Sequence, residues 1–247
     1  MNESLRRTAV LTKRNVKEIL RDPLSLIFSL GLPLAMEILF YLIFHKLTDQ
    51  FSMMYLAPGI VVFSQAFLTL FTGMLIATDR DTSFLTRLFV SRLRAHEFIL
   101  AYAVSILPMV ATQSVLFFVI GGIFDPSIIN LRVIPAILLS LVTSLMYISL
   151  GILFGCISNS KSIGGISSIV VTGQSVLSGM WFPMDQLGGF MVSLMNALPF
   201  RNTTLLIQNT LNGGEITRPL IIVLIYTAVS MIAAVLVFKK KMRARGR

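Results

Sequence analysis

Residues 133–157 read VIPAILLSLVTSLMYISLGILFGCI, twenty-five residues without one charged side chain. A helix of that length is about 37 Å long, enough to cross a hydrocarbon core about 30 Å thick. Five further apolar blocks of similar size flank it, at Leu24–Phe44, Tyr55–Thr78, Phe98–Phe124, Ile163–Trp181 and Pro219–Phe238. Six crossings predict an all-α polytopic membrane protein, a single transmembrane domain over residues 1–247 with both termini on one side.

Composition agrees. Of 247 residues, 55% are hydrophobic and 13% charged, about half the charge of an ordinary soluble domain. Mean hydropathy is +0.83. The net charge of +10 would suggest nucleic acid only if the basic residues covered a soluble surface. They instead cluster at the ends of the apolar blocks, so no nucleic-acid partner is expected. One side of the membrane receives Arg6 to Arg21, Arg80 to Arg94, Lys161 and Lys239 to Arg247; the other receives Lys46, Arg132, Arg201 and Arg218. That is seventeen against four of the 21 basic residues, and the positive-inside rule then makes both termini cytoplasmic in a multi-pass plasma-membrane protein. The lone Cys156 forms no internal disulfide, and the first twenty-three residues are too charged for a cleavable leader.

The segment Glu3–Asp22 reads as an interfacial helix. Leu5, Ala9, Val16 and Ile19 recur near helical spacing, with basic residues between them suited to anionic lipid headgroups. Beyond the fifth block, residues 182–218 are too long for a turn and too apolar for a solvated loop. Phe190, Met191, Leu194, Met195 and Leu198 predict short helices broken at Pro199, dipping back into the outer leaflet. The two halves of the chain share no motif, so an inverted-repeat transporter gains no support.

Several constellations bear on chemistry. Glu37 is the one acid inside a block, and a carboxylate at a helix centre costs about 2.5–3.5 kcal/mol to insert. It is expected either to contact substrate or a proton, or to hydrogen-bond Gln65, Gln113 or Gln174. GCISNSKS, Gly155–Ser162, mimics a phosphate-binding loop, but Ser160 replaces the second glycine and the stretch closes a helix instead of opening one. No nucleotide site follows. His45 and His96 fall at opposite membrane faces, and no cluster of His, Cys and carboxylate forms, so neither hydrolysis nor metal binding is expected. Asn202-Thr203-Thr204 fits a glycosylation sequon on the outer side. The fifth block is rich in small residues from Gly164 to Gly179, with Ser168/Thr172 and Ser175/Gly179 at four-residue spacing, a pattern for close helix packing, a subunit interface or a pathway wall.

Between the second and third blocks lies SFLTRLFVSRLRAHEF, Ser83–Phe98. Phe84, Leu85, Leu88 and Phe89 share one helical face, while Arg87, Ser91 and Arg94 take the other and Arg92 intrudes on the apolar side. The acids Asp79, Asp81 and Glu97 lie beside these arginines. A mixed-charge, half-apolar helix suits a groove on another protein.

The order of features resembles the membrane subunit of type-two ABC exporters over nearly the whole chain. The carrying stretches are RDPLSLIFSLGLPLAMEILF (residues 21–40), DRDTSFLTRLFVSRLRAHEFILAY (79–102) and SGMWFPMDQLGGFMVSLMNALPFR (178–201). The chain departs from the family in lacking a proline near Arg92 and in having Gly188 where proline is common. The resemblance implies a permease subunit that pairs with a second copy or a paralogue and is driven by a separate cytoplasmic ATPase, which would carry the ATP and Mg. This chain would bind no cofactor itself and hydrolyse nothing. Residues 1–23 would be the connecting helix and 79–97 the coupling loop, with Phe84, Leu85, Arg87, Leu88, Phe89 and Arg92 seated on the ATPase. The second and fifth spans would line the pathway, where Glu37, Gln65 and Gln174 supply intramembrane polarity. Trp181, Phe182, Pro183 and Pro199 would belong to an outer gate. Two other functions stay open from sequence: a proton-coupled exporter using Glu37, and a non-transporting scaffold.

Overall fold

In the computed structural model the described residues are 3–82, 95–181 and 187–245, and they form helices joined by short turns. In chain order these are α1 (Glu3–Leu20), α2 (Pro23–Leu26), a π-helical turn (Ile27–Gly31), α3 (Leu32–Phe44), α4 (Met53–Asp81) and α5 (Ala95–Phe124). They continue with α6 (Val133–Ile157), α7 (Ile163–Leu177), α8 (Gly189–Ala197), α9 (Pro199–Asn212) and α10 (Thr217–Arg245). The coupling-helix residues Phe84 to Arg92, and Phe182 and Pro183 of the expected gate, lie outside the described residues.

Among the described residues, five helical stretches are long and apolar enough to cross a membrane: Ile27–Phe44, Met53–Asp81, Ala95–Phe124, Val133–Ile157 and Thr217–Lys240. The expected sixth, Ile163–Trp181, is shorter than its hydropathy suggests. Its helix α7 has 15 residues, about 22 Å, well under the hydrocarbon thickness. Gly179 takes a φ of 74°, a left-handed turn that ends helices. Met180 then packs over Gly59 of α4, where an added methyl would meet its Cε at 3.2 Å.

Helix α4 is the axis of the bundle, with 72% of its apolar window buried. It meets α6 through glycines: a methyl at Gly151 would lie 2.6 Å from Thr72 Cβ and 2.8 Å from the Thr69 carbonyl. One at Gly155 would lie 2.8 Å from the Gly73 carbonyl. Gly151 and Gly155 are four residues apart, the spacing that lets two membrane helices touch backbone to backbone.

Two prolines test how a helix keeps its polar backbone satisfied in lipid, because each lacks the N–H that would bond the carbonyl four residues earlier. For Pro58 that carbonyl is Met54, and Asn212 Nδ2 from α9 donates to it at 3.3 Å. Gln208 Nε2 donates to the neighbouring Tyr55 carbonyl at 2.9 Å. For Pro33 it is Ser29, reached at 3.1 Å by Gln113 Nε2 of α5. Polar side chains thus mend both proline breaks, and in doing so they dock α9 on α4 and α5 on the first span.

Helices α8 and α9 fall where the sequence predicts short helices broken at Pro199. Pro199 opens α9 at its first turn, where a missing N–H costs nothing, and Gly213 closes it with φ 78°. Thr203 near the α9 start bonds Tyr147 at 3.0 Å. Tyr147 lies ten residues before the α6 terminus, about 15 Å along the helix. The pair is therefore packed against the middle of α6. This placement overturns the glycosylation reading of Asn202, which is 3% exposed and donates to the Asn196 and Leu198 carbonyls at 2.9 and 2.7 Å.

Candidate coupling and pathway sites

At the basic end of the bundle, the stems of segment 83–94 are tied to their surroundings by charged side chains. Arg14 of α1 grips Asp79 at the foot of α4 with two hydrogen bonds, Nη1 to Oδ2 at 2.6 Å and Nη2 to Oδ1 at 2.5 Å. Asp79 is 1% exposed and also accepts from the Tyr102 hydroxyl of α5. Burial by itself lowers the Arg14 guanidinium; the hydrogen bond and charge of Asp79, with Glu18 beside them, together outweigh it and hold it above its ordinary value. Burial pushes the Glu18 carboxyl up, and the opposing charge of Arg14 only partly reverses this.

The next two residues hold other elements. Arg80 donates from Nη1 to the Cys156 carbonyl at 3.0 Å and from Nη2 to the Ser158 carbonyl, covering orphan carbonyls at the end of α6. Asp81 accepts from Ser160 N at 3.2 Å and Ser160 Oγ at 2.5 Å in the α6–α7 turn. Past the segment, Glu97 of α5 is 1% exposed and receives Arg7 of α1 at 3.1 Å. These pairings correct the sequence reading of the acids. Asp79 and Glu97 are not displayed beside the arginines for a partner; they are buried and hold α1 against α4 and α5. Arg80, counted there among the basic residues of one membrane side, is likewise turned inward, its side chain 15% exposed.

The intramembrane polar residues are all buried, and two of the three bridge helices. Gln65 of α4 donates to the Ser140 carbonyl at 2.9 Å and accepts from Thr143 at 2.8 Å, both on α6. Gln174 of α7 accepts from Tyr147 of α6 at 2.5 Å and donates to Thr204 of α9 at 3.0 Å. Sequence reading did not single out Tyr147, the hub of this network, because a tyrosine in an apolar block reads as core.

Glu37 differs. It is fully buried, yet neither carboxylate oxygen has a hydrogen-bond partner among the described residues. Gln65, Gln113 and Gln174 are engaged elsewhere, so the interhelical bond considered from sequence does not form. Glu37 packs near the ends of α4 and α5 opposite the Asp79 clasp. A methyl added at Gly121 would fall 3.5 Å from its Oε1 and 3.2 Å from Ala57 Cβ. Those residues lie within about one turn of the far ends of α5 and α4.

On that far side Trp181 caps an aromatic cluster. Its ring centroid is 4.4 Å from Phe40 and 6.0 Å from Phe63, and Phe40 stacks on Phe44 and Phe51. Its indole N–H donates to Ser175 Oγ at 3.0 Å. Pro199 is buried where α8 passes into α9. The exposed face of α7 carries Gly165, Ser168, Ile169, Thr172 and Val176, a stripe at helical spacing with two hydroxyls on it.

Among the described residues no group of three or more potential metal ligands comes together. A family model for the ABC-2 type transporter matches residues 6–212. The chain belongs to that family. It is a membrane permease subunit of an ABC transporter and not a nucleotide-binding domain. No curated protein matches it. The match runs from α1 to the end of α9, so α1, the segment between α4 and α5, and the pair α8 and α9 lie within the ABC-2 unit.

Proposed function

We propose that this ABC-2 permease exports an amphiphilic substrate from the cytoplasm, driven by a separate ATPase subunit that seats on Phe84–Arg94. ATP and Mg belong to that partner. The observation that carries the reading is the clasp at the foot of α4. Three consecutive residues, Asp79, Arg80 and Asp81, hold α1, α5 and the α6–α7 turn. Glu97 holds α1 again from the other stem. A displacement of segment 83–94 by an ATPase is thereby delivered to several helices at once instead of being absorbed by a flexible loop.

In this account the plasma-membrane protein keeps both termini and the clasp in the cytoplasm, in line with its basic residues. Two permeases, identical or paralogous, face each other, and the open stripe of α7 supplies the pathway wall where Ser168 and Thr172 avoid lipid. The Tyr147–Gln174–Thr203–Thr204 network joins that wall to the re-entrant pair, whose tip with Trp181, Phe182, Pro183 and Pro199 forms the outer gate. The proton-carrier reading of Glu37 draws no support from its position near the far ends of α4 and α5.

The test is the double substitution Leu88→Asp/Phe89→Asp. It should abolish ATPase association and transport while leaving the purified permease folded. Survival of both association and transport would remove segment 84–94 from the coupling role.

A further inference from the structure

Beneath the end of α1 lies a cleft of about 280 Å³ that no part of the transport cycle above uses. Its mouth is polar, formed by Glu18, Arg21 and Asp22. Its walls are apolar: Leu68, Phe71 and Leu75 of α4 face Ile106 and Met109 of α5. Along α4 the lining runs from Thr78 to Leu68, ten residues or about 15 Å, half the thickness of a hydrocarbon core and so the depth of one leaflet.

We propose that this cleft is a binding site for an anionic phospholipid of the leaflet against which α1 lies, one acyl chain entering between α4 and α5 and the phosphate meeting Arg21. The inference rests on the interfacial reading of α1. The walls below Thr78 offer a ligand no side-chain donor or acceptor, which suits hydrocarbon and excludes a polar cargo. At the mouth the charges are unequal in availability. Glu18 is paired with Arg14, and Asp22 is engaged within the chain. Arg21 is exposed, and its guanidinium has no hydrogen-bond or ion-pair partner among the described residues. Lys17 and Lys13 extend the exposed basic stripe one and two turns along α1. Such a stripe beside a chain-shaped slot matches a lipid that is negative at the interface and apolar below it.

Glu18 belongs both to the mouth and to the Arg14 clasp, so occupancy braces α1 against α4. Lipid binding and coupling are thereby linked through one side chain.

The purified, delipidated full-length permease, in a neutral detergent, is titrated with palmitoyl-oleoyl phosphatidylglycerol and followed by native mass spectrometry. One lipid per chain should be retained, and phosphatidylcholine should not replace it. Arg21→Glu should weaken retention about 25-fold, since each basic residue near an anionic surface is worth on the order of fivefold and the change reverses a sign. Leu75→Trp, which fills the slot, should abolish retention, while Lys46→Glu on the far side should leave it unchanged. Equal retention of phosphatidylcholine, or retention indifferent to the exposed Arg21→Glu change, would overturn the proposal. Retention is read on the permease alone, so its failure and a failure of ATPase docking are separate results.

Discussion

Replacing Arg14 with Met removes the cation from a carboxylate that is 1% exposed and leaves Asp79 with one hydroxyl donor, Tyr102. Breaking a fully buried ion pair by deleting one partner costs about 3–5 kcal/mol. The Arg14 side chain is 33% exposed, so solvent already screens part of the pair, and a cost of about 2–3 kcal/mol is expected. For a chain of this size that corresponds to a fall of roughly 4–12 °C in Tm. Asp79→Asn should cost less, because Arg14 can turn to water and Tyr102 keeps an acceptor. Combining the two should restore most of the loss, with a coupling energy of about 1–2 kcal/mol. The assay is thermal unfolding of the purified permease in detergent for wild type, both single variants and the double. An Arg14→Met protein with unchanged Tm, or a double variant no better than Arg14→Met alone, would refute the argument that this pair clasps α1 to the bundle.

Three other outcomes follow from named contacts. Gly151→Ala should destabilise by about 1–3 kcal/mol, because its methyl would overlap Thr72 and the Thr69 carbonyl. Gly165→Ala, with open space around it, should leave Tm unchanged; equal effects would dismiss the glycine contact of α4 with α6. Glu37→Met exchanges a buried carboxyl without partners for an apolar side chain of similar length, and should raise stability by about 1–3 kcal/mol. Transport by that variant shows whether the carboxyl is kept for substrate, and a loss of stability would show that it holds a contact the structure does not contain. Tyr147→Phe should cost about 1–3 kcal/mol by stranding Gln174 Oε1, and should slow transport without dissociating an ATPase; full-rate transport would separate the network from gating.

The helices were legible because lipid leaves the backbone no alternative to internal hydrogen bonding. The stretch Val133–Ile157 begins and ends in the structure where its apolar run begins and ends. Hydropathy misjudged the fifth block because Met180 and Trp181 are apolar for a different reason: they pack on Gly59 and Phe40 after the helix has turned at Gly179. The short helices α8 and α9 were readable from Pro199 and the apolar spacing of residues 190–198, but their packing was not, since it is set by Thr203 on Tyr147 and Thr204 on Gln174. Gly151 and Gly155 carried a readable four-residue signal that the richer small-residue pattern of α7 overshadowed.

Charged residues were the hardest to interpret. Arg14 and Asp79 are 65 residues apart, and Arg7 and Glu97 are 90 apart. Spacing along the chain cannot pair them, so the basic members read as topology signals and the acids as surface. In the structure they are internal clasps. The glutamines were similar: Gln113 is the partner of a carbonyl freed by a proline on another helix, a complementarity that exists only after folding.

We propose that an ATPase gripping the segment between α4 and α5 moves this ABC-2 permease. The most direct test is to purify the tagged permease from native membranes in mild detergent, beside the Leu88→Asp/Phe89→Asp variant, and to identify what accompanies each. A stoichiometric ATPase with its own phosphate-binding loop should accompany the wild type and be missing from the variant. A wild-type preparation that transports in vesicles with no ATPase attached would contradict the proposal.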